Sequence, residues 1–395
     1  MTKSLHRILF IIGNAEPGKS GVGDYTRLLA DDLYKTHLIS SDIISVNDSY
    51  TRNEIKEETC SVSGNRVLRI PSEFSKDAVA QYFHSTLKKT DYSWVSLQYV
   101  GYAFHSLGVA YPLLDLLQLE NKSCRLHIMF HELWQGLGRH ESTISRIKGY
   151  LQKQSIRTLI RRTNPQIIHT HNVCYLHLLR QLRFKAGLLP LFGNIPVEKP
   201  DHRRFRLLIR QHGLPLEIED HRENFLLIGF FGAIYGGWPV ELCFDSIASA
   251  CKKVNKIPIF VSIGNAGPGW TKLTETYEPR FSMTATGFLK ESDISQLLSV
   301  LDFGISTTPY EATGKSGGTM AFLEHGVPVF AGPDMLRPRI SISSSESLKG
   351  VFPMDSGMEA VILNLPQLKT NPHAIRQVTQ KFAEDLHLLD HNQDD

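Results

Sequence analysis

Chemistry in this chain has to come from the few places where charged, hydroxyl or imidazole side chains meet glycine. Gly13-Asn-Ala-Glu-Pro-Gly18-Lys19-Ser20 fits the Gly-x-x-x-x-Gly-Lys-Ser pattern of a phosphate-cradling loop letter for letter. Pro309-Tyr-Glu-Ala-Thr-Gly-Lys315-Ser316-Gly317-Gly318-Thr319 is a second polar, glycine-rich loop. It leads through Met320-Ala-Phe-Leu-Glu324 into Gly326-Val-Pro-Val329. Lys315, with the amides of Ser316, Gly317 and Gly318 at a helix start, would neutralise an anionic group there. His131-Glu132 follows the apolar run Leu126–Phe130 and is no zinc HExxH, because position 135 is Gln. Gln98-Tyr99-Val-Gly-Tyr102-Ala-Phe104-His105 ends another run with rings and hydroxyls that suit a sugar, or that cover a hydrophobic edge.

The first loop is the tempting one. In a phosphate-cradling loop a helix starts at once and aims its amides at the anion. Here Gly21 and Gly23 occupy the place of that first turn, at about 1 kcal/mol each relative to Ala, so the helix is expected from Asp24 to Tyr34. No later apolar strand ends in the Asp that would hold magnesium, and Trp94–Gln98 ends in Gln. The segment therefore reads as a glycine-rich loop before a helix. Gly21, Val22 and Gly23 either let backbone approach a ligand closely or simply make a tight turn.

The elements that must position these residues alternate between β-rich and helical. Expected strands are 7–12, 38–46, 67–70, 94–98, 125–130, 166–169 and 187–191, with helices 24–34, 76–88, 109–119, 143–162 and 173–182 between them. After Pro196 and Pro200 the pattern resumes with strands 225–231, 258–263, 281–286, 303–306 and 327–331, and helices 240–254, 293–301 and 318–325. Crossovers of this length imply parallel sheets covered on both faces. The expected fold is α/β, with two Rossmann-like doubly wound domains facing across a cleft. The expected parts are an N-terminal domain 1–197, a linker 198–222, a C-terminal domain 223–371, and a terminal helix 372–395 returning to the first domain. Ile375, Val378, Phe382 and Leu386 form the apolar stripe of that last helix.

The order of these pieces resembles the family 4 retaining glycosyltransferases of the GT-B fold. The likeness rests on Gly21-Val-Gly-Asp-Tyr-Thr26, His131, Asn194-Ile-Pro196, Gly264-Asn-Ala-Gly-Pro268, Thr286-Gly-Phe288-Leu289, and Glu324 with Gly326-Val-Pro-Val329. The resemblance implies that a nucleoside-diphosphate sugar binds at Gly21, Val22, Gly23, Gly232, Gly264, Phe288, Leu289, Lys315, Ser316, Gly317, Gly318, Thr319 and Glu324. Within that set, Phe288 and Leu289 would meet the base and Glu324 the ribose. His131 would lie by the transferred sugar and act with Lys315 in catalysis, while Tyr99, Tyr102 and Glu132 would meet the acceptor. It also implies retention of configuration with no cofactor and no required metal. Two departures stand out. Ser316 occupies the place of the family's first donor-segment glutamate, and Ala233 and Trp238 occupy the places of its cationic clamp.

The bulk numbers fit this reading. A chain of 395 residues with 42% hydrophobic and 21% charged residues is expected to be a soluble two-domain protein. With no apolar run of about 20 residues it is expected in the cytoplasm. A net charge of +3 argues against nucleic acid. The five scattered cysteines argue against disulfides and structural zinc. From Arg139 to Arg162 seven basic residues face one acid, Glu141, with apolar residues interspersed. Such a helix either rests on an anionic membrane beside a lipid-linked acceptor or is a solvated basic face. The expected function is hexosyl transfer to an acceptor hydroxyl of a sugar, glycan or lipid-linked substrate. The alternatives are a nucleotide-sugar epimerase or another GT-B enzyme, a non-catalytic nucleotide-sugar-binding protein, and a P-loop NTPase using Gly13–Ser20.

Overall fold

Each apolar run of the first half folds as a strand, and most of these strands have no exposed residue, as a covered parallel sheet requires. The computed structural model describes residues 6–60, 63–119, 124–138, 141–265, 267–333, 347–355 and 357–389. The chain divides into two units. The first runs through Pro190 and regains the C-terminal segment from Ile375; the described residues from Leu191 to Ala374 form the second.

The first unit is built on β1 (Arg7–Ile12), β2 (Ser40–Asp48), β3 (Lys56–Thr59), β4 (Arg66–Pro71), β5 (Trp94–Tyr99), β6 (Arg125–Phe130), β7 (Ile167–Thr170) and β8 (Gly187–Leu188). They lie in the order β3-β4-β2-β1-β5-β6-β7-β8, parallel except for β3 against β4. Ser96 pairs with His127, and Met129 pairs with His169. Because side chains alternate along a strand, residues 96, 98, 127 and 169 share one face of the sheet. The same face receives the C-terminal helix Ala374–Asp385, whose Phe382 stacks on Phe10 at 6.0 Å and meets the His127 ring at 5.3 Å. Val378, Phe382 and Leu386 are buried there.

The second unit holds β9 (Phe225–Phe231), β10 (Ile257–Ile263), β11 (Ser282–Ala285), β12 (Phe303–Pro309), β13 (Val329–Gly332) and β14 (Val351–Pro353), parallel and ordered β11-β10-β9-β12-β13-β14. One core cluster is aromatic, with Phe244 stacked on Phe260 at 4.6 Å and on Tyr277 at 4.2 Å.

Several expectations are corrected. The basic stretch read as linker is folded: Asp201 caps a helix His202–Gln211, accepting from the amides of Arg203 and Arg204. Its Leu208 and Ile209 enter the core and its Arg204 donates to both Asp293 oxygens from Nε and Nη2. Arginines had masked the two buried positions. The first helix begins at Gly21, not Asp24, with Ser20 as its cap. A Cβ on Gly23 would come within 2.7 Å of the Asn14 carbonyl oxygen. The close approach of helix to loop thus outweighs the poor helix propensity of glycine. A helix Gly267–Tyr277, a helix Met358–Leu363 and strands β3 and β14 were not expected from the sequence.

Candidate functional site

In the second unit β12 runs into a 3-10 turn, Tyr310–Lys315, and then into the helix Gly317–Glu324. Ser316 caps this helix, its hydroxyl accepting from the Thr319 amide at 3.2 Å. The Thr319 hydroxyl meets Ser306 Oγ at 3.1 Å in the interior, so Thr319 anchors the helix to β12. Gly318 lies against the end of β9, where a Cβ would come within 2.6 Å of the Phe231 carbonyl oxygen, whereas nothing lies within 4 Å of the same position on Gly317. The helix start, with half-buried Lys315 and Ser316, therefore opens at the carboxyl ends of β9 and β12. Ligands of open α/β sheets bind at such ends.

Around this opening the other strand ends supply glycine and aromatic surface. Gly232 and Gly264 have φ of 92° and 83°, the left-handed region that favours glycine. Gly264 bridges to Gly287, and its amide donates to the Thr286 hydroxyl at 3.2 Å. Phe288 stands 86% exposed, while Leu289 packs against the core below. Of the two rings after β9, Tyr235 is exposed and Trp238 is buried against Phe230.

Glu324 ends the helix and is buried, so it is no solvated helix residue. It accepts from the Gly193 amide at 2.6 Å, and burial pushes its carboxyl up to about 7. The resemblance implies a ribose contact for this residue; the fold gives its carboxylate a backbone partner.

In the first unit four amides of the loop Gly13–Ser20 are spent within the protein. Ala15 donates to Asp48, Glu16 to Asn14, and Gly18 to Asp24, while Lys19 donates to the Glu16 carbonyl. Arg69 draws Asp48, Glu16 and Glu58 together beside it. A cradle whose amides face carboxylates does not hold phosphate. The glycines do form the first helical turn. Gly21 and Val22 supply amides of that turn, which have no partner within the helix.

His131 is not alone. Its Nε2 meets Gln98 Oε1 at 2.9 Å and its Nδ1 meets His171 Nε2 at 2.9 Å. His171 Nδ1 donates to the Leu189 carbonyl at 2.9 Å. On the other side Gln98 donates to Ser96, Ser96 meets His127, His127 meets His169 at 3.2 Å, and His169 meets Asp385 at 3.1 Å. All four imidazoles are buried, and burial lowers the pKa of each, taking His169 and His171 to about 4. The sequence signal lay in the spacing. Alternation places residues 127 and 131 on one face, as it does 169 and 171, and β6 and β7 are neighbours.

Tyr99 is corrected from acceptor contact to core residue. It is fully buried, with its hydroxyl turned to the Gly108 carbonyl at 3.4 Å. Tyr102 is 48% exposed, its hydroxyl donating to Gln135 and accepting from Gln152. Glu132 is exposed. Gln152 also donates to the Leu107 carbonyl, joining exposed Tyr102 and Leu107 to the helix Thr143–Thr163. That helix carries six Lys and Arg residues and no acid, and leaves Ile144, Ile147, Tyr150 and Leu151 exposed. Arg139 lies outside the described residues. Among the described residues no cluster of His, Cys, Asp and Glu is suited to a metal, and no helix is long and apolar enough to cross a membrane.

No protein-family model matches the sequence, and no curated protein does. Solved structures match over nearly the whole chain. A glycosyltransferase from Rickettsia africae aligns with a TM-score of 0.58 at 13% identity, covering 99% of this chain and 100% of that one. Anabaena HepE in complex with UDP and glucose aligns at 0.52 and 14% identity over 97% and 99%. A putative UDP-N-acetylglucosamine 2-epimerase from Listeria monocytogenes aligns at 0.53 and 12% identity over 99% of each. The fold, two α/β units on parallel sheets, is GT-B.

Proposed function

We propose that the protein is a glycosyltransferase that moves a hexosyl group from a nucleoside-diphosphate sugar to an acceptor hydroxyl, with retention of configuration. The observation that carries this reading is the opening at Ser316–Gly318. There a helix start, Lys315 and glycines Gly232 and Gly264 meet at the carboxyl ends of the second sheet. The helix amides and Lys315 stabilise the charge that develops on the leaving diphosphate, and so replace the missing clamp. Phe288 offers a face to the base. Glu324 holds the ribose through the carboxylate oxygen that does not accept from the Gly193 amide. The diphosphate helps to deprotonate the acceptor. UDP in the HepE complex supports a nucleoside diphosphate as the carrier.

The acceptor belongs to the first unit, near Tyr102 and Glu132, with His131 by the transferred sugar. The basic, apolar face of Thr143–Thr163 beside Tyr102 fits an anionic membrane, and hence a lipid-linked acceptor at the inner membrane face. Vesicle sedimentation checks this. Ile147→Glu with Leu151→Glu is expected to release the protein from phosphatidylglycerol vesicles, and equal binding to neutral vesicles argues against it.

Thermal stability in the presence of UDP, GDP, ADP, CMP or ATP tests the donor site. A hundredfold excess of ligand over its dissociation constant stabilises by about 2.7 kcal/mol. One nucleoside diphosphate should raise Tm in the wild type and in Lys19→Ala, but not in Lys315→Ala. A rise with ATP alone, lost in Lys19→Ala, refutes the reading. Anomer-resolved NMR of products separates a retaining transferase from an epimerase, and binding without turnover marks a non-catalytic protein.

A further inference from the structure

The buried line from the Leu189 carbonyl through His171, His131, Gln98, Ser96, His127 and His169 to the Asp385 carboxylate has a proton deficit. Both ends only accept. Seven contacts join the six side chains between them, and each contact needs one proton. A neutral imidazole supplies one N–H, a serine one O–H, and an amide bridging two neighbours through its oxygen and nitrogen one N–H. The neutral side chains therefore leave one contact with two lone pairs facing each other, and a single added proton completes the line.

The Gln98 amide decides where the gap falls. With its oxygen toward His131, the half of the line that ends at Asp385 is satisfied by neutral rings. The gap then lies between His131 Nδ1 and His171 Nε2, 2.9 Å apart. With the amide turned over, Gln98 donates to His131 Nε2, His131 Nδ1–H donates to His171, and the gap moves to His169 Nε2 facing Asp385. A proton in the first position is a buried cation between two rings, with the Tyr25 ring at 5.2 and 5.1 Å from their centroids. A proton in the second position is an imidazolium against a carboxylate, with Lys381 on the same Asp385 oxygen at 2.9 Å and the Phe382 ring on His127. Asp385, although shared with Lys381, gives the second position an adjacent carboxylate that the first lacks.

We propose that this line takes up a single proton from solvent, that Asp385 fixes it on His169, and that the Gln98 amide turns over to hand the change to His131. His131 Nε2 then accepts where it had donated, and the ring stays neutral. Asp385, on the C-terminal helix, is in this way a positioning residue for His131, the side chain assigned above to the transferred sugar. Burial lowers all four histidines; at His169 the Asp385 carboxylate raises the value and Lys381 lowers it.

The test reads nitrogens and not transfer, so it stands or falls apart from the proposed reaction. Long-range proton–nitrogen NMR of the full chain, labelled with nitrogen-15 histidine, follows the buried rings from pH 8 to pH 4. One proton should enter the set, at His169, while His131 changes tautomer without charging. Asp385→Asn provides an N–H at that end, removes the deficit, and should lower the uptake by about one pH unit or more. Gln98→Met should cut the relay, so that Asp385→Asn no longer moves the His131 shifts. Independent protonation of several of these rings, or a His131 response that persists in Gln98→Met, overturns the proposal. The wild-type titration alone decides the first of these outcomes if a variant does not fold.

Discussion

Adding one methyl group at Gly317 and at Gly318 should have opposite effects, although the two residues are neighbours in the same helical turn. Alanine is favoured over glycine in a helix by about 1 kcal/mol, and part of that gain comes from the unfolded chain. At Gly317 nothing lies within 4 Å of the new Cβ, so Gly317→Ala should stabilise the second unit by about 0.5–1 kcal/mol. At Gly318 the Cβ would sit 2.6 Å from the Phe231 carbonyl oxygen. That oxygen ends the central strand β9, where Phe231 is paired with Ile263 of β10, so it has limited freedom to move. The helix start must back away instead. Overpacking of this kind costs about 1–3 kcal/mol, which exceeds the propensity gain over most of its range, and the two variants should differ by about 2 kcal/mol. Urea denaturation of both, followed by fluorescence, measures the difference. Nucleotide binding should weaken in Gly318→Ala, because the amides of Ser316–Gly318 move with the helix. If Gly318→Ala proves as stable as Gly317→Ala, the tight seating of this helix on β9 is wrong.

Other expectations follow from buried charge and exposed rings. Glu324, raised to about 7, binds its proton more tightly in the folded chain. Its stabilising effect is therefore full below the ordinary carboxyl range and lost as pH rises toward 7. Relative to Glu324→Gln, the wild type should lose on the order of 2 kcal/mol between pH 4.5 and 7, and parallel pH–stability curves would contradict this. Arg69→Met leaves Asp48 and Glu16 without their cation and Glu58 with Arg27 alone. It should cost about 3–5 kcal/mol at pH 7 and less in acid, where the carboxyls protonate; chemical denaturation at two pH values checks both. Phe288→Ala should leave Tm unchanged, since the ring is 86% exposed, yet weaken nucleotide affinity by calorimetry. Truncation before Pro372 removes Val378, Phe382 and Leu386 from the first unit's core. Its melting transition should fall by several degrees or vanish, whereas unchanged melting would show that the helix only decorates the sheet.

Much of the architecture was legible in the sequence because buried parallel strands are written as apolar runs. Arg7–Ile12, Arg125–Phe130 and Phe225–Phe231 begin and end where those runs do. The missed elements have another grammar. Lys56–Thr59 carries no apolar residue and owes its strand state to pairing with β4. The Gly267–Tyr277 helix starts Gly-Pro-Gly, and its buried Trp270, Leu273 and Tyr277 declare it only once the sheet is in place. For the site, the donor segment could be read because strand, loop, cap and helix follow one another along the chain. The histidine line could not, since its members come from three strands and the C-terminal helix, and only their lateral order joins them. Tyr99 failed as a site residue for a related reason. Position 99 falls on the face opposite Ser96 and Gln98, and one step along a strand exchanges the two environments.

The eight-stranded sheet also has a social side. A parallel sheet with open borders offers unpaired amides and carbonyls to any passing strand. Here one border is Lys56-Glu-Glu-Thr59, antiparallel and mostly exposed, with two like charges adjacent. The other is Gly187–Leu188, two residues long. One border repels a newcomer and the other is too short to seat it. The sheet can therefore keep six hydrophobic strands inside without recruiting a second copy through its edges, and crowded chains are protected from stacking border to border.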